Sequence, residues 1–510
     1  MSMKRIQLPL QTLSLVAGFM VWVLLSPLLP FIKEDIHLTS GQLAWVTATP
    51  VILGSILRVP MGYYTNRFGA RILFAVSFLF LIAPVYYLSR AHSFFDLIVS
   101  GLFLGIGGAV FSVGVTALPK YYSKEKHGLV NGIYGIGNIG TAVTSFSAPV
   151  LAKAIGWTTT VQLTIGVMAV FALLNFVLGD RREPKAAAPL RPQIRSVSRN
   201  SKLWLLSLFY FITFGSFVAF TVYLPNFLVG SFHLDKADAG FRTAGFIALC
   251  TLVRPIGGWL ADRLNAFVVL MLVFAGLTVS GVILSFSPSL VMYTIGCLLV
   301  AFCAGIGNGA IFKLVPLYFA KQSGIANGVV AMFGGLGGFF PPLVLSFVQQ
   351  MTGHVAIGFM ALSEFALASL ILTTWLYYQE RLQVSKQILD STTQGVLLTD
   401  PSGVIRQINP AFSALTGFSE EEAVGKTPGI LKSGVQNKAF YDNMWRSIRE
   451  TGSWQGEIWN KRKSGEVYLE WLTISSIKND AGEVKYYAGM FSDMTNSRPG
   501  QTDLRALQSK

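Results

Sequence analysis

About a dozen apolar runs of roughly twenty residues fill the first 379 positions of this 510-residue chain, each long enough to cross the hydrocarbon core of a bilayer. In lipid every backbone N–H and C=O must find its partner within the protein, so runs of this length fold as helices. Charged residues make up only 13% of the chain, against roughly 25% in a soluble globular protein, which excludes an ordinary water-soluble enzyme. Residues 1–379 carry 24 Lys and Arg against 10 Asp and Glu, whereas residues 380–510 carry 16 against 15 and no apolar run of spanning length. The expectation is an all-α polytopic membrane protein followed by a soluble part.

Apolar runs between charged or Gly/Pro breaks place spans near 11–32, 43–64, 72–89, 94–119, 128–152, 159–179, 203–229, 239–260, 266–286, 290–319, 325–350 and 355–378. Met1–Arg5 before the first run looks like a signal peptide, but no small-residue cleavage site follows, and the run reads as a retained span. With the N-terminus in the cytoplasm, inside loops hold sixteen basic residues: Lys4, Arg5, Arg67, Arg71, Lys120, Lys124, Lys126, seven from Arg181 to Lys202, Arg263 and Lys321. Outside loops hold Lys33, Arg90, Lys153, Lys236 and Arg242. The positive-inside bias therefore puts both termini in the cytoplasm of a multi-pass cell-membrane protein. This basicity is of the membrane kind, and nucleic acid is not expected as a partner. Cys250, Cys297 and Cys303 lie inside apolar runs without metal or redox spacing and read as packing residues.

The two sets of six spans are related. Arg58, Gly62, Asn66 and Arg67 recur 196 residues later as Arg254, Gly258, Asp262 and Arg263; Asn131-Gly132 recurs as Asn327-Gly328, and Gly105-Ile-Gly107 as Gly305-Ile-Gly307 at an offset of 200. An internal repeat of six spans per half marks a transporter built from two pseudo-equivalent bundles around a central site. The loop Gly62-Tyr-Tyr-Thr-Asn-Arg-Phe-Gly-Ala-Arg71 and its echo Gly258-Trp-Leu-Ala-Asp-Arg263 resemble the gate motif of the major facilitator superfamily, with Asn66 where that family usually has Asp. The organisation expected is a six-helix bundle at 1–179, a cytoplasmic loop at 180–201, a second bundle at 202–378, a helical connector at 379–390, a soluble domain at 391–496 and a tail at 497–510.

Charged side chains deep in spans are few. A central Arg costs about 2.5–3.5 kcal/mol on insertion scales, so Arg58 and Arg254, at pseudo-equivalent depths of spans two and eight, need a reason. Lys313 sits nearer the cytoplasmic end of span ten, and Glu364, midway along span twelve, is the one obvious intramembrane carboxylate. At least one Arg is thus expected to lack a protein counter-ion. Two facing guanidinium forks suit a small planar oxyanion.

Span five reads Asn131-Gly-Ile-Tyr-Gly-Ile-Gly-Asn-Ile-Gly140 and span eleven reads Asn327-Gly-Val-Val-Ala-Met-Phe-Gly-Gly-Leu-Gly-Gly-Phe-Phe-Pro-Pro342. The GxGxxG within span five lies inside an apolar run, not between strand and helix, and does not indicate a dinucleotide fold. Small residues let helices pack closely or slide as two halves rock, with Asn138 and Asn308 as polar contacts. These segments resemble the nitrate/nitrite porter family of the superfamily over residues 10–378. That resemblance implies Arg58 and Arg254 as the anion clamp, with Asn138, Tyr210, Phe111 and Phe214 around the substrate. It implies gate and signature roles for Gly62, Asn66, Arg67, Gly258, Asp262, Arg263, Gly135, Gly137, Gly140, Gly334, Gly335, Gly337 and Gly338. Transport would follow alternating access, coupled to protons or to a counter-anion, because a monovalent anion entering alone opposes about 2.3 kcal/mol per 100 mV.

The tail alternates short strands and turns: two strands about Asp400-Pro-Ser-Gly403, a helix near Phe440–Glu450, and further strands about Lys463-Ser-Gly465 and Asn479-Asp-Ala-Gly482. Asn409-Pro-Ala-Phe412, Thr416-Gly-Phe-Ser-Glu-Glu421, Trp454-Gln-Gly and Asp493-Met-Thr495 resemble a PAS domain over 386–496. It has no His for haem ligation and no Cys for a flavin adduct. Trp445 and Asn460 resemble the PAS subgroup that holds FAD as a redox sensor; a ligand-free contact module is the plainer alternative, acting on the transporter, on a cytoplasmic signalling partner or in a PAS-mediated dimer. The expected function is nitrate or nitrite transport, as in nitrate assimilation, regulated by this sensor domain. Alternatives are a nitrate receptor signalling through the tail, or a carrier of a small carboxylate such as formate or oxalate. No nucleophile, metal cluster or catalytic carboxylate pair suggests an enzyme.

Overall fold

The structure is a computed structural model that describes residues 3–185, 189–234, 236–286, 289–339, 356–479 and 482–495. The end of span eleven with Pro341 and Pro342, the start of span twelve, and the tail 497–510 lie outside the described residues. The chain divides into two compact units, 1–377 and 378–510.

The first unit is wholly helical among the described residues. Among the described residues nine helices are long and apolar enough to span a membrane, eight within this unit and one beginning in it: Ile6–Asp35, Ala70–Leu88, Phe94–Tyr121, Trp157–Leu178, Ser201–Val222, Asp238–Arg263, Ala266–Ser285, Leu290–Tyr318 and Phe359–Ser391. The three other expected spans fall short for local reasons. Span two divides at Leu57 into Ser40–Ile56 and Arg58–Phe68. Span five is interrupted by a 3-10 turn at Ile136–Ile139, between His127–Gly135 and Gly140–Ile155, where its glycines lower the cost of leaving α geometry. Span eleven begins as Ser323–Gly337 and runs to the edge of the described residues. Span eight carries the same one-residue break as span two: Val253 separates Lys236–Leu252 from Arg254–Arg263. The bonds Met61 N–H to Leu57 O (3.0 Å) and Gly257 N–H to Val253 O (3.1 Å) carry each helix across its break. Each intramembrane Arg therefore opens a new helical segment, at pseudo-equivalent places in the two halves. Helix starts are fixed by side chains, as in the capping boxes Thr39/Gln42 and Ser93/Asp96.

In the second unit, strands β1 (Gly395–Thr399), β2 (Ile405–Ile408), β3 (Ser453–Lys461), β4 (Val467–Lys478) and β5 (Val484–Asp493) form one antiparallel sheet of order β2-β1-β5-β4-β3. The hairpin glycines Gly403, Gly465 and Gly482 all have φ between 83° and 92°, the left-handed region that side chains disfavour. Asn409 ties the first hairpin to the next helix: its Oδ1 accepts from Val396 N–H (2.8 Å) and Phe412 N–H (2.9 Å). Phe412 and Phe491, ring centroids 5.7 Å apart and edge to face, anchor the core with Ile405 and Leu472. Lys438–Thr451 is capped by Asn437 and stopped by left-handed Gly452.

Candidate functional site

Arg58 and Arg254 are fully buried, at 0% and 2% exposure, and they meet on the same two aromatic rings. The Arg58 Cζ lies 5.5 Å from the Phe111 centroid and 5.3 Å from that of Phe214; for Arg254 the distances are 5.8 and 5.6 Å. Tyr210 stacks on Phe214 at 5.0 Å and accepts a hydrogen bond from Arg254 Nη2 at 3.1 Å. Cation–π contact offsets part of the desolvation of each guanidinium, but it supplies no negative charge. Among the described residues no carboxylate lies in ion-pair range of either Arg. Glu364 has an exposed side chain. Among the described residues Arg58 donates only to neutral carbonyls, Nε to Gly108 O (3.3 Å) and Nη1 to Ala331 O (2.7 Å). Its Nη2, the Arg254 Nε, and both amide atoms of buried Asn138 and Asn308 have no hydrogen-bond partner among the described residues. Buried donors without acceptors are costly, and these two cations carry such donors beside the same pair of aromatic rings.

The glycine signatures seat these arginines. A Cβ on Gly135 would lie 2.8 Å from Arg254 Nε, and one on Gly335 would lie 3.3 Å from Arg58 Nη1. Each Arg thus packs on a glycine of the opposite half. One turn before Gly135 and two turns before Gly335, Cβ atoms on Gly132 and Gly328 would come within 2.7 and 2.6 Å of the Arg254 and Arg58 carbonyl oxygens. Gly137 and Gly140 instead face Leu15 and Val16 of their own half, while Gly334, Gly337 and Gly338 face Tyr210, Phe211 and Val218 of theirs. Asn131 Nδ2 donates to Phe312 O (3.0 Å) and Asn327 Nδ2 to Val115 O (3.1 Å), two cross-ties that repeat the internal symmetry.

The gate motifs are not equivalent. The Asp262 carboxylate accepts from Gly128 N–H (2.9 Å) and Leu129 N–H (2.7 Å) at the start of span five, and pairs with Lys313 Nζ at 2.7 Å. Gly258 packs on Gly128 and Gly62 on Gly324. Asn66 places its amide against Gly324, with no charge to offer. The Arg67 and Arg263 guanidiniums rest on Phe68 and Trp259.

Sequence reasoning missed Trp22, whose ring lies 5.7 Å from Arg58 Cζ and whose Nε1–H donates to Pro50 O (3.0 Å). At the repeat offset it aligns with Val218, so the internal symmetry gave no signal for it.

In the second unit a cavity of about 390 Å³ opens between the sheet and the Lys438–Thr451 helix, and both Trp445 and Asn460 line it. So does Glu470, a residue the sequence reading passed over, which is 1% exposed. Asn460 Nδ2 donates to Glu470 Oε1 at 2.8 Å and the Tyr468 hydroxyl to Oε2 at 2.7 Å. Burial pushes the Glu470 carboxyl up to about 7 despite those bonds.

A central pair of basic residues between two pseudo-symmetric helical bundles defines a membrane carrier, and the comparisons agree. Residues 12–342 match the Major Facilitator Superfamily, and residues 393–496 match a PAS domain. The chain belongs to the nitrate/nitrite porter family of the major facilitator superfamily, a family of transporters and not of enzymes. It is 65% identical over 380 residues to the nitrite extrusion protein of Bacillus subtilis, covering 74% of this chain and 96% of that one. It is 55% identical over 375 residues to the probable nitrate transporter NarT of Staphylococcus epidermidis, covering 74% and 97%. The human organic anion transporter MFSD10 shares the fold at a TM-score of 0.61 and 17% identity, covering 72% of this chain and 99% of that one.

Proposed function

We propose that the chain moves nitrate, nitrite or both across the cell membrane by alternating access, with Arg58 and Arg254 clamping the anion. One observation carries this reading. Pseudo-equivalent guanidiniums from the two halves share the Phe111 and Phe214 rings, keep unspent donors, and have no carboxylate partner among the described residues. A planar oxyanion accepts several of those N–H groups at once and cancels the like charge between the halves. The names of the relatives, a nitrite extrusion protein and a probable nitrate transporter, support the choice of anion.

Both termini face the cytoplasm in this reading, which puts the Asp262–Lys313 pair at the inner gate. Net inward movement of a monovalent anion runs against the membrane potential. With Glu364 exposed, exchange for a second anion, or protons entering with the substrate, serves better than a relay through that carboxylate. The tail regulates this transport.

The test is uptake and counterflow by the purified chain in proteoliposomes, offered nitrate, nitrite, formate and chloride. Nitrate or nitrite should exchange while formate and chloride do not, and Arg58→Lys or Arg254→Lys should each lower the rate at least tenfold, because Lys keeps the charge but loses the planar fork. Undiminished flux in either variant overturns the clamp. Absence of any counterflow would instead make the protein a receptor.

A further inference from the structure

The segment that joins the two halves carries positive charge to which the protein gives no answer. From Pro184 to Lys202 there are five basic residues, Lys185, Arg191, Arg195, Arg199 and Lys202, and no Asp or Glu. The carboxylates just before it are already engaged. Glu183 is buried, with Lys120 Nζ at 2.8 Å and Ala70 N–H at 2.6 Å, and the Asp180 carboxylate accepts from Arg182 N–H at 2.8 Å. Lys202 rests its ammonium over the Tyr318 ring at 3.8 Å. Arg191, Arg195 and Arg199 are exposed and make no ion pair among the described residues.

These three arginines belong to the helix Leu190–Ser198, with Arg199 as its C-cap. They stand four residues apart on one face, while Leu190, Ile194 and Val197 fall on a neighbouring face at helical spacing. Val197 is buried and Ile194 is exposed. A helix of this kind is poorly stable by itself. Its nine residues fall short of the roughly 12–15 at which isolated helices become marginal. Like charges four residues apart repel, and Arg191 in the first turn opposes the helix dipole. The contact that fixes its depth is to the next span: Ser198 O, one of the carbonyls left open at a helix end, accepts from Trp204 Nε1–H at 2.8 Å. Trp204 is the fourth residue of the spanning helix Ser201–Val222 and is exposed, and Trp at a span end marks the level of the headgroups. The short helix is thereby pinned at that level, where the nearest negative charges are lipid phosphates.

We infer that Leu190–Ser198 is an interfacial helix that binds anionic phospholipid, with Arg191, Arg195 and Arg199 on the headgroup phosphates and Ile194 at the acyl boundary. Such a surface supplies what the helix lacks, counter-charge along the arginine row and apolar cover for Ile194. The arginine stems are long enough to keep their charge among headgroups while the apolar face turns inward. Lipid meets the helix as soon as the neighbouring span inserts, whereas an acidic protein would have to reach it at headgroup depth. The inference needs only that span seven lies in a membrane, and it holds whichever anion is carried.

The experiment places the intact chain in nanodiscs of phosphatidylcholine alone, or of phosphatidylcholine and phosphatidylglycerol in equal parts, and reads amide hydrogen exchange at residues 190–199. Both leaflets are open in a nanodisc, so sidedness does not enter. Exchange should be at least about fivefold slower with phosphatidylglycerol, since each basic residue near an anionic surface counts for roughly fivefold in binding. Salt at about 1 M, which shortens the Debye length to about 3 Å, should erase the difference. The combined variant Arg191→Gln, Arg195→Gln and Arg199→Gln should lose the lipid dependence. The combined variant Arg191→Lys, Arg195→Lys and Arg199→Lys should keep it, because surface attraction asks for charge and not for a planar fork. Equal exchange in the two lipid compositions overturns the inference without any variant and leaves the surface to an acidic protein. Equal slowing by inorganic phosphate in phosphatidylcholine alone overturns it in favour of a small free anion, and a lipid dependence that persists in the Gln variant overturns the assignment to these arginines.

Discussion

Arg58 and Arg254 differ in how their donors are used, and that difference has consequences. Arg58 spends Nε and Nη1 on backbone carbonyls and Arg254 spends Nη2 on a phenol, so Arg58 is held by backbone and Arg254 by a side chain that can itself be replaced. Tyr210→Phe should therefore loosen Arg254 alone, raising KM for the anion several-fold while leaving the fold intact. Gly135 tests the same Arg from the other side: a Cβ there would meet Arg254 Nε at 2.8 Å. Neither backbone strain nor lost flexibility is needed to explain a defect at this position. Gly135→Ala should lower transport at least tenfold without lowering the amount of folded protein, whereas Gly166→Ala, where a Cβ meets nothing within 4 Å, should be silent. Uptake normalised to protein recovered by size-exclusion chromatography separates the two outcomes. Glu470 offers a different residue-scale check. Its carboxyl titrates near 7 folded and near its ordinary 4.5 unfolded, so the unfolded state loses its proton first as pH rises. The tail then loses stability from about pH 4.5 to pH 7, by about 3 kcal/mol in all. Glu470→Gln should restore most of that above pH 7 and little at pH 4.5, read as slower hydrogen exchange in β3–β5 of the intact chain at pH 8.

At the scale of elements, the repeat predicts symmetry and the gate departs from it. Asp262 reaches a helix start 134 residues away in sequence, where a carboxylate favours both the free N–H groups and the positive end of the helix, and Lys313 completes the contact. At the offset of 200 that relates spans four and ten, Lys313 aligns with Val113, so the half with Asn66 lacks both the acid and its base. Among the described residues the charged contact at this motif that bridges the halves is thus that of Asp262 with Lys313 and Gly128. Asp262→Asn should open it, since the amide keeps some hydrogen bonding but leaves Lys313 without its carboxylate; faster exchange at residues 128–135 and a loss of transport of about tenfold are expected. Asn66→Asp should not add a second latch. Much of this was legible in the sequence: hydropathy is local, so the spans could be read from it, and the shared offset paired Arg58 with Arg254 and Asn131 with Asn327. The division of span five was not legible, because its glycines suit both a packed α-helix and a 3-10 turn. Nor was the reach of Asp262 to Gly128, or the burial of Glu470, since both depend on how close distant segments come and not on any periodicity within one segment.

At the scale of the whole molecule, the transporter unit and the tail each have a core of their own: one apolar cluster runs from Leu15 to Leu376, and a separate one from Leu397 to Phe491. The relatives from Bacillus subtilis and Staphylococcus epidermidis are matched over 96% and 97% of their length by only 74% of this chain, so the tail is an addition to a carrier that exists elsewhere without it. A carrier whose core is complete without the addition should keep its basic cycle when the addition is removed. Ending the chain after residue 379 should then leave nitrate exchange within about twofold of the full chain under one fixed condition. The difference should appear when conditions vary: flux through the full chain should change between oxidising and reducing medium, or on adding riboflavin, while flux through the shortened chain stays level. Parallel responses from the two would separate the tail from transport and turn the search for its output toward a cytoplasmic partner.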